Sequence, residues 1–72
     1  MPRTTVQSEV TGTVWKLEVR RGDQVQAEQA LVILESMKME IPAVAPVAGT
    51  VVELLVAEGE AVSEGQDLLV IA

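Results

Sequence analysis

Cysteine, histidine, tyrosine and phenylalanine are all absent from the 72-residue chain, and Trp15 is its single aromatic residue. Without cysteine there is no disulfide staple and no thiolate metal site, and cysteine usage gives no reading of the redox compartment. Without histidine or tyrosine, the groups able to move protons reduce to carboxylates and two lysines, Lys16 and Lys38. That set equips the chain poorly as an enzyme. Cations are scarce too: eleven acidic against five basic side chains give a net charge of −6, which repels phosphate backbones, so no nucleic acid partner is expected. No apolar run approaches the roughly 18 residues that a membrane span needs, and "MPRTTVQSEV" lacks the apolar stretch of a signal peptide. A soluble, cytoplasmic protein with no membrane partner is expected.

What is present is aliphatic. Apolar residues make up 49% of the chain, almost all of them Val, Leu, Ala, Ile and Met, a composition that favours strands. Residues 1–72 are read as one small domain, and no Pro/Ala-rich linker precedes it, which favours a stand-alone subunit.

Displaced by 37 positions, the sequence matches itself: "GTVWKLEVRRGDQVQAEQALVIL" from Gly12 falls on "GTVVELLVAEGEAVSEGQDLLVI" from Gly49. Gly12 meets Gly49, Val14 meets Val51, Gly22 meets Gly59 and Gln29 meets Gln66. Two copies imply two similar halves that bury their apolar faces together. In the first copy, alternation puts Trp15, Leu17 and Val19 on one face with Val14 out of phase, and in the second it groups Val52, Leu54 and Val56. Trp15 is expected to be a partly buried packing residue on that face. Gly22 and Gly59 read as turn residues, and Gly12 and Gly49 as further sites of positive φ or close strand approach. "ALVIL" and "DLLVIA" read as strands at the centre of a sandwich. The expected fold is all-β, a flattened barrel or sandwich of two four-stranded antiparallel sheets, with about eight short strands related by an internal pseudo-twofold repeat.

Between the copies lies "SMKMEIPAVAP", with Lys38 flanked by Met37 and Met39 and then by Glu35 and Glu40. Turns recruit Gly, Asn, Asp or Pro; this one has two methionines instead. Methionine adapts to more than one partner surface, so a presented recognition element is the reading, and Glu35 and Glu40 are candidates to steer docking. The repeat puts this turn at the end of the molecule opposite the chain termini.

"ESMKMEIPAVAPVAGTV", set within the repeat, resembles the attachment motif of the biotinyl domain family, and the likeness runs over essentially the whole chain. The resemblance implies that biotin is joined to Lys38 by a biotin protein ligase, with Met37 and Met39 as flanking recognition residues. It further implies a non-catalytic, monomeric carrier that serves a biotin carboxylase and a carboxyltransferase. Acetyl-CoA carboxylase, and with it fatty acid biosynthesis, is the expected setting. Departures from the family pattern are the missing glycine in "QAEQA", the missing prolines before Gly12 and the absence of any thumb insertion. Two alternatives stand beside it: a lipoyl carrier, which shares the fold but favours other residues around the lysine, and an unmodified adaptor using the same barrel.

Overall fold

The computed structural model describes residues 2–72. Eight strands follow one another: β1 (Thr4–Gln7), β2 (Gly12–Leu17), β3 (Gln24–Val25), β4 (Ala30–Ser36), β5 (Met39–Val44), β6 (Gly49–Leu54), β7 (Ala61–Val62) and β8 (Asp67–Ile71). They form two four-stranded sheets in the orders β1-β8-β6-β3 and β5-β4-β2-β7, and every pairing is antiparallel. The halves do not simply stack. Each sheet takes strands from both copies of the repeat, so the copies interlock into a molecule of 36 × 17 × 17 Å.

The repeat is visible in the hydrogen bonds. Val14 N–H donates to the Glu60 carbonyl as Val51 N–H donates to that of Asp23, and Gly59 N–H reaches Val14 as Gly22 N–H reaches Val51. Four tight turns share one device. In each, the fourth side chain accepts the N–H of the first residue: Asp23 from Arg20, Glu60 from Ala57, Gln29 from Gln26 and Gln66 from Ser63. The matched glutamines at 29 and 66 are thus local turn locks.

The core is aliphatic, built from Val6, Val14, Val19, Val25, Leu31, Leu34, Val51, Val56, Val62, Leu68, Leu69 and Ile71 among others. The central strands β4 and β8 supply its largest fully buried side chains, as expected from their unbroken apolar runs. The expected facing of β2 is corrected. Val14 is fully buried and Trp15 is 52% exposed, because a bulge between Val14 and Lys16 inserts an extra residue against β4 and resets the alternation. Val14, Leu17 and Val19 therefore turn to the core while Trp15 faces solvent. The second copy bulges at the matching place, between Val51 and Glu53, so Val51 is buried where Val52 was expected.

Gly22 and Gly59 have φ of 96° and 87°, the expected positive-φ turns. Gly65, at 84°, is a third, and its counterpart in the first copy is Glu28, which holds φ 69° with a bulky side chain. A non-glycine residue there is strained by about 1–2 kcal/mol, offset in part by the roughly 0.5–1 kcal/mol of extra chain entropy that glycine brings. Glu28→Gly should therefore raise the melting temperature by about 2–4 °C, and Gly65→Glu should lower it. Circular dichroism melts of both variants check this; a lower midpoint for Glu28→Gly would remove the strain argument.

Candidate functional site: a lysine on a strained hairpin turn

Strands β4 and β5 form a hairpin whose register pairs Leu34 with Ile41, Glu35 with Glu40 and Ser36 with Met39, leaving Met37 and Lys38 as a two-residue loop. Both loop residues have positive φ, 51° and 65°, the signature of a type I′ turn that normally recruits Asn-Gly. Here the strand twist demands a left-handed backbone from two residues that resist it, at roughly 1–3 kcal/mol each. The surrounding hairpin over-determines the shape. Composition and geometry are thus at odds in this turn: two residues with Cβ atoms occupy a backbone that suits asparagine and glycine.

The base of the hairpin is anchored. Ser36 Oγ donates to the Thr11 carbonyl oxygen at 2.9 Å, and Thr11 Oγ1 accepts the Glu64 N–H at 3.1 Å, so three segments are tied together beneath the turn. Gly12 lets β2 pass tightly: a Cβ there would collide with the Glu35 carbonyl oxygen and lie 3.3 Å from the Ser36 Cβ. Thr11 and Ser36 do not stand out in the sequence, since a hydroxyl in a polar stretch has no distinguishing pattern. Gly12 is visible there as a repeat glycine, though its service to the hairpin is not.

At the tip, Met37 is 92% exposed and Met39 61% exposed, and Lys38 is exposed between them. Among the described residues the one ion pair is Lys16 with Glu18, at 3.7 Å. Lys38 is thus placed by the backbone of the turn, with no ion pair to any described residue. Glu35 and Glu40 oppose each other directly across the hairpin and both are exposed, a like-charge pair that weakens the sheet locally. Trp15 stands in the bulge of β2, between Val14 and Lys16, which pair with Leu34 and Ile33 of β4 and not with a residue of the turn. The tip also lies where the repeat put it. Strand β4 runs towards Thr11, whereas β8 runs the other way to Ile71, which pairs with Thr4.

The two sheets thus present Lys38 exposed at the tip of a left-handed turn, with no ion pair to any described residue. The chain belongs to the biotin/lipoyl attachment family: the family model described as "Biotin-requiring enzyme" matches residues 1–71. Within that family it is a carrier module without catalytic activity of its own, and biotin is the family's cofactor. The chain is similar to the biotin/lipoyl attachment protein of Bacillus subtilis, at 49% identity over 90% of this chain and 89% of that one. It is also similar to the biotinylated protein TB7.3 homolog of Mycobacterium leprae, at 42% identity over 93% of this chain and 94% of that one. Among solved structures, the urea carboxylase of Kluyveromyces lactis aligns with a TM-score of 0.94 and 33% identity, covering 100% of this chain and 6% of the carboxylase. The chain thus spans most of the two small relatives and a small part of the large enzyme.

Proposed function

We propose that Lys38 carries biotin in amide linkage and that the domain is a mobile carboxyl carrier working between a biotin carboxylase and a carboxyltransferase. The observation that carries this reading is the exposed, unpaired Lys38 on its left-handed turn in a chain of the biotin-requiring family. When bound, biotin supplies a ureido group that takes up a carboxyl unit and gives it to an acceptor. The chain's own chemistry comes before that. In attachment by a biotin protein ligase, the neutral Lys38 amine attacks the acyl carbon of biotinyl-adenylate, a C–N bond forms, AMP leaves and the amine proton passes to solvent. Acylation makes the net charge of −6 one unit more negative. The barrel then keeps the group tethered near two active sites, turning bimolecular encounters into local ones, and Glu35 and Glu40 favour docking on basic surfaces.

The finer setting we propose is a cytoplasmic acyl-CoA carboxylase, acetyl-CoA carboxylase foremost, with fatty acid biosynthesis as its use. Intact-mass measurement of protein from its native host tests the cofactor. One biotin-sized addition at Lys38 supports this reading, a lipoate-sized addition overturns it in favour of a lipoyl carrier, and an unmodified chain in favour of an adaptor. Incubating the loaded protein with host carboxyltransferase and acetyl-CoA, propionyl-CoA, pyruvate or urea in turn identifies the acceptor.

Met37 and Met39 are not part of the core, so replacing both with Leu should leave the melting temperature within the roughly 0.5 kcal/mol band of surface changes. Carboxyl transfer should slow several-fold while ligase labelling changes less, since the ligase needs the lysine at the right point of a folded hairpin. Paired melts and rates check this; a large fall in stability with unchanged transfer would assign the methionines to packing.

A further inference from the structure

We infer that Met37 and Met39 form a reversible oxidation site, and that conversion of their thioethers to sulfoxides lowers the carrier's use by its partner enzymes without unfolding it. Met37 is 92% exposed and Met39 61% exposed. The positive φ of Met37, 51°, places it on the loop of the turn, beyond the last strand pair of the hairpin. Susceptibility of a thioether follows its access to solvent, so Met37 is the faster of the two. The chain has no cysteine to compete for a two-electron oxidant. Among the described residues the core holds no sulfur either, its buried side chains being Val, Leu, Ile and Ala apart from one serine. Among the described residues the oxidisable sulfurs therefore both lie beside Lys38 and outside the core, while Met1, the third methionine, lies outside the described residues.

The step balances with a peroxide as oxidant. The methionine sulfur gives two electrons to hydrogen peroxide, the O–O bond breaks, one oxygen stays on sulfur and the other leaves as water. Methionine sulfoxide reductases with a dithiol run the reverse, releasing water and a disulfide. The product side chain is polar and chiral where the thioether was apolar. No core contact is lost, so stability holds. What changes is the surface that a partner meets on both sides of the attachment lysine.

The consequence for partner enzymes rests on the biotin reading of Lys38; the oxidation map does not. Biotin has a thioether of its own, so the chain is treated with hydrogen peroxide before labelling, quenched, mapped by peptide mass spectrometry and melted. It is then biotinylated with biotin protein ligase and presented to host biotin carboxylase with ATP and bicarbonate. Of the described methionines, Met37 is expected to gain one oxygen first and Met39 second, with any addition at Met1 mapped on its own peptide and Trp15, an indole that peroxide attacks far more slowly, as internal control. The melting temperature should be unchanged, and carboxylation should slow about ten-fold, the scale of losing one apolar contact in a recognition site. Methionine sulfoxide reductases should restore it. The Met37→Leu, Met39→Leu double variant should be indifferent to peroxide relative to its own untreated rate. Full oxidation of both methionines with an unchanged carboxylation rate would overturn the inference, as would an equal loss in the double variant. Failure of the untreated chain to take biotin would overturn the biotin reading and the effect on partners with it, while the peptide map would still decide the oxidation site.

Discussion

Lys38→Arg should fold as the parent does and take no biotin at all. Arginine is no worse than lysine in the left-handed conformation that position 38 holds at φ 65°, and Lys38 makes no ion pair with any described residue, so stability should move by no more than about 0.5 kcal/mol. Chemistry is where the two differ. A guanidinium stays protonated and delocalised and offers no nucleophilic amine, whereas a lysine amine in its neutral form does. Incubation with biotin protein ligase, ATP and biotin, read on a streptavidin blot, should give full signal for the parent and background for Lys38→Arg. Lys16→Arg is the matched control: Lys16 lies on β2, held at 3.7 Å from Glu18, and its loss should leave labelling intact. Signal on Lys38→Arg, or loss of it on Lys16→Arg, would remove the central claim about the site.

Much of this was legible from residues alone, and the reason lies in the repeat. Matching Gly22 with Gly59 and Gln29 with Gln66 identified positions where backbone geometry recurs, and each pair has the same turn role in the structure. The position of Lys38 between copies followed from the same offset. What could not be read was the phase of β2 and β6. A bulge changes which face a residue meets without altering composition, so Val14 and Trp15 were exchanged, as were Val51 and Val52. The strain at Met37 and Lys38 was likewise hidden, because positive φ is imposed by the two-residue loop and the strand twist, neither of which a tripeptide specifies.

The glycines of the repeat divide into two kinds, and substitution should separate them by a wide margin. Gly22 and Gly59 need only their φ of 96° and 87°, since an added Cβ would meet nothing within 4 Å. Alanine there should cost about 1–2 kcal/mol. Gly12 needs space instead: its missing Cβ leaves room for the Glu35 carbonyl oxygen, a backbone atom in the central strand β4 that cannot swing aside. Gly49 is the twin, where an added Cβ would lie 2.6 Å from Ile71 Cγ2 and 2.7 Å from the Ala72 carbonyl oxygen, a shallower overlap than at Gly12 and one whose nearest atom is the end of a side chain. Gly12→Ala should therefore be the worst of the four, losing at least about 3 kcal/mol, or about 12 °C or more of melting temperature. Set against the roughly 4–11 kcal/mol total expected at this length, that leaves little. Any fraction that folds should label poorly, because the carbonyl that must move belongs to the hairpin bearing Lys38, two strand pairs below the turn. Gly22→Ala, at the opposite end, should label normally in proportion to its folded fraction. Thermal melts with ligase labelling of all four variants give the order Gly12, Gly49, then Gly22 and Gly59 together. Equal losses across the four would mean that close packing at the hairpin base does not distinguish Gly12, and the account of how the barrel holds its lysine would fail with it.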